Sequence, residues 1–199
     1  DVALHGDIAQ LTLDASGTAL NRRGYRTWNG EAPLRETLAA ALVTLSPWRP
    51  GMPLHDPMCG TGTLMIEAAM RMAHRAPGLT RSFAIESWRD MPTDAFERIR
   101  EQAKADFDPS LIEGISGSDI DPEAVELARR HLRQAGLEGR VRFEVADMRD
   151  CRRTEERGVF LCNPPYGERL SDRKACETLY HDMGQMLRSN PGWSLSAIT

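Results

Sequence analysis

Short apolar runs alternate with longer segments of helical spacing from residue 52 to the end of the sequence. The runs predicted as strands are residues 52–56, 112–118, 141–145, 159–162 and 193–198. The helices predicted between them are residues 64–73, 95–107, 122–135 and 175–187. Strands that alternate with helices in this way usually form a parallel sheet covered on both faces. The sequence therefore predicts an α/β fold with a doubly wound sheet.

Two further elements are predicted before residue 52. Apolar residues alternate through Ile8, Leu11 and Leu13, and a turn-forming Asp-Ala-Ser-Gly string follows at 14–17, which predicts a hairpin around that turn. From Pro33 the spacing becomes helical. The apolar face of this helix is predicted to consist of Leu34, Leu38, Leu42 and Leu45.

The composition is typical of a folded, water-soluble domain. The 199 residues are 41% hydrophobic, and no apolar run approaches the ~18 residues that would span a bilayer. The amino-terminal residues do not resemble a signal peptide, so we expect a cytoplasmic protein. The four cysteines show no paired spacing, so neither a disulfide framework nor a metal site is predicted.

The net charge of −4 is unusual for a protein that binds nucleic acid, because RNA is usually held by a basic surface. The arginines nevertheless cluster at residues 22–26, 129–133 and 149–153. A guanidinium group can grip phosphate or stack on a base, but an arginine bias also arises from genomic composition. The sequence leaves both explanations open.

The string Asp-Pro-Met-Cys-Gly-Thr-Gly at residues 56–62 leads from a predicted strand into a predicted helix. Its glycines allow a ligand to approach the backbone closely. Met65 replaces the third glycine of a dinucleotide fingerprint, and no P-loop lysine follows. The loop therefore favours a ligand without phosphates, whose carboxylate faces the helix amino end, although a plain turn is the alternative.

Acidic residues follow the next two predicted strands. A carboxylate at Asp119 can accept both ribose hydroxyls of a nucleoside, while Asp121 is better explained as the cap of the next helix. Asp147 can accept from an adenine amine with Met148 beside the ring. An ordinary loop acid is the equal alternative for Asp147.

The string Asn163-Pro164-Pro165-Tyr166 follows the fourth predicted strand. The Asn163 side-chain oxygen and the Pro164 carbonyl can each accept one hydrogen of a base amine and so orient its lone pair. Tyr166 offers a stacking face for an extruded base. Catalysis would then consist of positioning and charge stabilisation, and an irregular Pro-Pro turn is the alternative.

These two strings, in this order and each after a strand-like run, resemble those of S-adenosylmethionine-dependent methyltransferases that act on an exocyclic base amine. The resemblance implies the class I, Rossmann-like fold with strand order 3-2-1-4-5. In that order the loops after strands one and four are neighbours at the carboxyl edge of the sheet, where ligands bind.

A closer resemblance extends over nearly the whole chain, in the strings at residues 20–26, 32–36, 56–64, 75–79, 117–119 and 163–169. They are similar to those of the bacterial RlmL-type 23S ribosomal RNA guanine-N(2)-methyltransferases, within the THUMP-associated RNA methylases (UPF0020-like). The resemblance implies methyl transfer from S-adenosylmethionine to a guanine amine of 23S ribosomal RNA, with S-adenosylhomocysteine as product.

The resemblance also assigns site residues. It implies cofactor binding by Asp56, Pro57, Cys59, Gly60, Thr61, Gly62, Asp119, Ile120, Asp147 and Met148. It implies a catalytic role for Asn163, Pro164, Pro165 and Tyr166. Substrate contacts are expected from Arg26, Arg35 and Arg169, although Arg35 is equally explained as a contact to the cofactor carboxylate or as a surface residue at a helix entrance.

The family pattern predicts a division of the chain into residues 1–30, a hairpin and linker from an upstream RNA-binding THUMP region, and residues 31–199, the methyltransferase domain. We expect that domain to be truncated at its carboxyl end, with strands six and seven absent or truncated. Two other functions remain open: a DNA adenine amine methyltransferase, because the catalytic string does not distinguish the bases, and a catalytically silent RNA-binding module.

Overall fold

The computed structural model of the protein describes residues 1–26, 34–89, 91–165 and 170–198. The strands are β1 (Val2–His5), β2 (Ile8–Leu11), β3 (Leu54–Asp56), β4 (Ile115–Asp119), β5 (Arg142–Val145), β6 (Gly158–Cys162) and β7 (Trp193–Ala197). The helices are α1 (Glu36–Leu45), α2 (Thr63–Met72), α3 (Thr93–Ala105), α4 (Pro122–Gln134) and α5 (Leu170–Arg188). Short 3-10 helices occur at Ala84–Ser87, Pro109–Leu111 and Met148–Asp150.

The main sheet contains five parallel strands within the described residues, in the order β5-β4-β3-β6-β7. Counted from β3, this is the order 3-2-1-4-5. The central strand β3 pairs Leu54 with Ile115 of β4 on one side and with Val159 of β6 on the other. The strand order reverses at β3, so the loops that follow β3 and β6 emerge side by side. The predicted α/β class is confirmed.

Side chains of β6 alternate between two apolar layers, as the two-residue period of a strand requires. Val159 and Leu161 belong to the larger core, which also contains buried residues of α2 and α4. Phe160 and Cys162 face the opposite layer, where they pack in one cluster with Met183 and Met186 of α5. Both faces of the strand are therefore buried, which explains why its sequence is continuously apolar.

Helix α4 begins as the sequence predicts. The Asp121 carboxylate accepts a hydrogen bond of 2.8 Å from the Glu123 amide, and Pro122 occupies the first turn. After the helix, Gly136 adopts a φ of 70° and ends the helical path. The cap role predicted for Asp121 is confirmed.

The predicted hairpin exists, but its turn was wrongly located. Strands β1 and β2 pair antiparallel, with His5 opposite Ile8, so the turn lies at Gly6 and Asp7. The Asp14 carboxylate instead accepts hydrogen bonds from the amides of Ser16 and Gly17 within a loop. Such an Asx turn satisfies the backbone locally and needs no flanking strands, which is why the turn signal was misleading.

The predicted apolar face of α1 is only half right: Leu34 and Leu42 pack against the core, but the other two predicted residues do not. Leu38 and Leu45 are exposed, whereas Glu36, Ala39 and Val43 are buried. Small residues allow α1 to approach α2 closely. Glu36 can be buried because Arg26 pairs with it, a tertiary contact that helical spacing does not reveal.

The segment between α2 and β4 packs against the amino-terminal residues. The Arg81 guanidinium donates to the carbonyls of Ser16, Thr18 and Ala19, and the Ala84 amide donates to the Ser16 carbonyl. These contacts attach the loop that follows β2 to the rest of the protein. In the described part of the chain, no helix is both long enough and apolar enough to cross a membrane.

Candidate active site

A cleft of about 540 Å³ brings the two predicted loops together. Its wall contains Asp56, Cys59, Gly60 and Thr61 from the loop after β3. It also contains Asn163, which directly follows β6. Residues about a hundred positions apart in the sequence thus face the same space, at the carboxyl edge of a parallel sheet where ligands of this fold class bind.

Backbone hydrogen bonds fix the shape of the loop after β3. The Asp56 carboxylate accepts from the Met58 amide at 3.0 Å, and the Cys59 amide donates to the Ser118 carbonyl of β4 at 2.9 Å. The Gly62 amide then donates to the Cys59 carbonyl at 2.8 Å. The loop is therefore tied to two strands and to itself without any ligand.

The two glycines of the loop are needed for different physical reasons. Gly62 has a φ of 81°, and a Cβ atom there would lie 2.8 Å from Phe143 and 2.9 Å from Ala128. It is buried beneath the loop and does not line the cleft. Gly60 has a φ of 49° and lines the cleft, and a Cβ there would meet no atom within 4 Å. Gly60 thus leaves space for a ligand, whereas Gly62 allows α2 to pack against the core.

Asp119 holds this loop from the end of β4. Its Oδ2 accepts from the Gly60 amide at 2.8 Å and its Oδ1 accepts from the Asp121 amide at 3.0 Å. The next residue, Ile120, is 66% exposed beside this carboxylate. A carboxyl oxygen has more than one acceptor site, so Asp119 can also receive hydroxyl groups of a ligand.

Burial changes the ionisation of two groups in the cleft wall. Desolvation raises the pKa of Asp56 to about 8, and the nearby Asp119 charge adds to this shift. Burial also raises the pKa of the Cys59 thiol far above its ordinary value, reinforced by the Asp56 and Asp119 carboxylates. Cys59 therefore stays a thiol and is not suited to act as a nucleophile.

The string at residues 163–166, predicted to be catalytic, is described as far as Pro165. Asn163 lines the cleft, Pro164 is buried, and Pro165 is exposed with its carbonyl accepting from the Cys176 thiol at 3.4 Å. Tyr166 and Arg169, which the sequence assigned to base stacking and substrate contact, lie outside the described residues.

Asp147 and Met148 follow β5 but are not part of the cleft wall. The Arg149 Nε donates to both carboxylate oxygens of Asp147 at 2.9 and 3.0 Å, and this contact lowers the pKa of Asp147. Met148 is buried in the apolar cluster with Phe160. The structure thus gives Asp147 a protein partner where the sequence predicted a contact to adenine.

The two remaining arginines differ in their surroundings. Arg35 precedes α1 and is exposed, while its carbonyl accepts from the Ala39 amide. Arg26 lies inside the protein, with its side chain 7% exposed and paired with Glu36. The sequence predicted that Arg26 contacts the substrate, but the structure buries its guanidinium against Glu36. Pro57, predicted in the cofactor loop, is also buried behind the cleft wall.

Other cleft residues were missed from the sequence. These are Leu34, Met58, Thr63, Leu64, Ala124 and Leu127, together with the acidic pair Asp121 and Glu123. Thr63 and Leu64 had a signal, since they continue directly from the glycine loop. The contact of the buried His131 with the cleft residue Thr61 had no sequence signal. The His131 Nδ1 donates to the Thr61 carbonyl at 3.2 Å, and the two residues are 70 positions apart in the sequence. In the described ranges, no group of three or more potential ligands could hold a metal ion.

Sequence comparison identifies the family. A profile described as "RMKL-like, methyltransferase domain" (UPF0020) matches residues 23–199. The chain belongs to this family. The resemblance predicted from the sequence is thereby confirmed at family level, and the protein contains an RMKL-like methyltransferase domain.

Two curated relatives of this RMKL-like domain are 42% identical to it over 201 residues. One is YpsC of Bacillus subtilis (strain 168), which carries the provisional name of an RNA methyltransferase. The match includes 100% of this chain and 52% of YpsC. The ribosomal RNA large subunit methyltransferase K/L of Aliivibrio fischeri (strain MJ11) is covered over 28% of its length by 98% of this chain. The chain thus spans about half the length of the first relative and less of the second.

A solved structure supports the fold assignment. The crystal structure of SMU.472, provisionally described as a methyltransferase and complexed with S-adenosylhomocysteine, superposes with a TM-score of 0.91. It shares 40% sequence identity, and the match covers 98% of this chain and 51% of that one. The RMKL-like domain therefore has the class I methyltransferase fold that the resemblance implied.

Proposed function

We propose that this domain binds S-adenosylmethionine in the cleft and transfers its methyl group to the exocyclic amine of a guanine in 23S ribosomal RNA. The observation that carries the proposal is that the loop after β3 and Asn163 after β6 line one cleft. The RMKL-like family and the 42% identity to a ribosomal RNA methyltransferase K/L support the reaction and the RNA substrate.

The residues of the cleft suit this cofactor. Gly60 presents backbone without a side chain in the cleft wall. Asp119 and Ile120 are not part of that wall, but Asp119 bonds the Gly60 amide and has acceptor sites left for ribose hydroxyls, and Ile120 offers an exposed apolar surface beside it. The cleft wall contains no lysine or arginine among the described residues. The bound cofactor would supply an electrophilic methyl group on a positively charged sulfur, and SMU.472 was crystallised with the corresponding product.

Asn163 is proposed to orient the target amine. Its side-chain oxygen accepts one amine hydrogen and the Pro164 carbonyl accepts the other, which directs the nitrogen lone pair into the cleft. The positive charge that develops on nitrogen is stabilised by the same two oxygens, so positioning and electrostatics supply the rate enhancement. Tyr166 is proposed to stack on the extruded base.

RNA binding is proposed to depend on residues beyond the cleft. The net charge of −4 provides little general attraction for RNA, and the relatives are about twice as long as this chain or longer. We assign residues 1–30 to a connection from an RNA-binding region and residues 31–199 to the methyltransferase domain. Arg35 and Arg169 are the proposed RNA contacts.

Asp147 and Met148 remain the proposed contacts to the adenine of the cofactor. The proposed location of the protein is the cytoplasm.

Methyl transfer measured with labelled S-adenosylmethionine tests this function. The substrates are 23S ribosomal RNA from cells that lack the enzyme, the same RNA from normal cells, and unmethylated DNA. We expect label in the unmodified RNA only, and mass spectrometry should identify it as N2-methylguanosine. Incorporation into adenine of DNA would contradict the proposal and favour the DNA methyltransferase alternative.

A further inference from the structure

A buried arginine connects two walls of the cleft. The Arg26 Nη2 donates to the Leu34 carbonyl at 2.8 Å and to the Thr63 hydroxyl at 2.6 Å. Leu34 precedes α1 and Thr63 is the first residue of α2, and both line the cleft. One guanidinium group therefore links two elements that are 29 residues apart in the sequence.

This guanidinium has no access to an RNA phosphate. Its side chain is 7% exposed, and its Nε lies 3.6 Å from the Glu36 carboxylate, which is 6% exposed. Removing both charges from water is unfavourable unless fixed hydrogen bonds compensate for the loss of hydration. The planar guanidinium supplies several donors in a rigid arrangement, which the flexible ammonium of lysine cannot reproduce.

The position of Thr63 makes the contact relevant to a ligand. Thr63 directly follows Gly62, whose φ of 81° starts α2, so its placement also sets the direction of the glycine loop. The Arg26 contact fixes the Thr63 hydroxyl as an acceptor and holds the Leu34 backbone opposite it. Without the guanidinium, α1 would still pack on α2, but Leu34 and Thr63 would lose this polar link.

We propose that Arg26 is a positioning residue for the cofactor: it holds Leu34 and Thr63, which both line the cleft, in the arrangement that binds S-adenosylmethionine. This inference depends on the cofactor assigned under the proposed function. Arg26 acts through these two residues and does not itself contact the reacting atoms.

Arg23 provides a matched control in the same segment. Its Nε lies 2.9 Å from the Glu67 carboxylate, which also accepts from the Tyr25 hydroxyl at 3.0 Å. The Arg23 side chain is 8% exposed, close to the value for Arg26. Neither Arg23 nor Glu67 lines the cleft. The Arg23→Gln variant therefore measures what the loss of a buried arginine costs the protein when no contact between cleft residues is removed.

The test is isothermal titration calorimetry with S-adenosylhomocysteine on the full-length protein and on Arg26→Gln, Arg26→Lys and Arg23→Gln. The free energy of unfolding is measured in urea for each variant, and binding is compared where all are folded. We expect Kd to rise about tenfold in both Arg26 variants, because a preorganised site is lost, and to stay within about twofold in Arg23→Gln.

If Arg26→Gln does not fold, Thr63→Val and Arg26→Lys carry the test as a double-mutant cycle. Removal of the Thr63 hydroxyl should weaken binding about threefold, and the double variant should be no weaker than Arg26→Lys, because both changes break one link. Additive effects would show that Thr63 acts on the ligand independently and would overturn the inference.

The outcomes separate this inference from the proposed function. If the unaltered protein binds neither S-adenosylmethionine nor S-adenosylhomocysteine, the cofactor assignment fails and this inference fails with it. If it binds them while the Arg26 and Arg23 variants change Kd equally, or Arg26→Lys leaves Kd unchanged, the positioning role is wrong and the proposed function stands.

Discussion

The Gly60 amide donates a 2.8 Å hydrogen bond to Oδ2 of Asp119, joining the loop after β3 to the end of β4. The second carboxylate oxygen of Asp119 accepts from the Asp121 amide at the start of α4. One side chain thus holds the glycine loop and the adjacent helix entrance in place before a ligand binds. Preorganisation of this kind reduces the entropy that binding must otherwise overcome.

Asp119→Asn should weaken binding of S-adenosylhomocysteine by about tenfold or more and lower the free energy of unfolding by about 1–3 kcal/mol. The amide has one acceptor oxygen, so its NH2 group would face one of the two backbone donors. Calorimetry and urea unfolding measure the two effects. Asp108→Asn is the control, because Asp108 caps a short 3-10 helix and does not line the cleft. Equal affinity in both variants would refute the role of Asp119.

The two loop glycines should respond differently to alanine. Gly62→Ala should lower the free energy of unfolding by about 2–4 kcal/mol, because it combines a positive φ with overpacking against Phe143 and Ala128. Gly60→Ala should cost about 1 kcal/mol of stability but weaken ligand binding, because its Cβ enters the cleft. Urea unfolding and calorimetry separate the two effects.

Gly139→Ala is the control for this pair. Gly139 has a φ of 72°, and a Cβ atom there would meet nothing within 4 Å, so this variant reports the cost of the backbone conformation alone. We expect Gly139→Ala and Gly60→Ala to have similar stability, and Gly62→Ala to be clearly less stable than both. Similar stability of all three variants would contradict the packing role of Gly62.

Asp56 should make the protein less stable as the pH rises. Its pKa is about 8 in the folded protein against 3.8 for an unperturbed group, so the folded state retains a proton that the unfolded state loses. Stability from this group is complete below about pH 4 and is lost as the pH rises to about 8, with a slope of up to about 1.4 kcal/mol per pH unit.

Asp56→Asn should remove the pH-dependent part of the stability that Asp56 contributes, because an amide side chain does not titrate. The amide oxygen can still accept from the Met58 amide. Urea unfolding of both proteins between pH 5 and pH 8.5 checks it. The buried Glu67, whose pKa is raised to about 7, gives a change of the same sign in both proteins, so the difference between them reports Asp56. Parallel stability curves would show that Asp56 does not titrate in this range.

The strands and helices of the sheet could be predicted because they depend on local patterns, whereas the strand order was implied by the family resemblance. The buried strand β6 is a short apolar run, and Gly62 and Asp121 mark where α2 and α4 begin. The meeting of the glycine loop with Asn163 followed from that implied order, since parallel strands bring their carboxyl ends to one edge and the order makes these two loops neighbours.

The errors have a common cause in tertiary contacts. The predicted face of α1 was wrong for Leu38 and Leu45, which are exposed, while Glu36 is buried against Arg26. The contact of His131 with Thr61 joins residues whose sequence neighbours give no sign of it. The pairing of Asp147 with Arg149 was not predicted, because it depends on a side-chain conformation that sequence spacing does not specify.

The most direct test of the central claim is Asn163→Ala in the full-length enzyme. Asn163 lines the cleft together with the loop after β3, and it is proposed to orient the base amine. The account predicts that the variant binds S-adenosylmethionine with unchanged affinity in calorimetry, while methyl transfer to unmodified 23S ribosomal RNA falls by about a thousandfold or more. An unchanged rate of methyl transfer would contradict it.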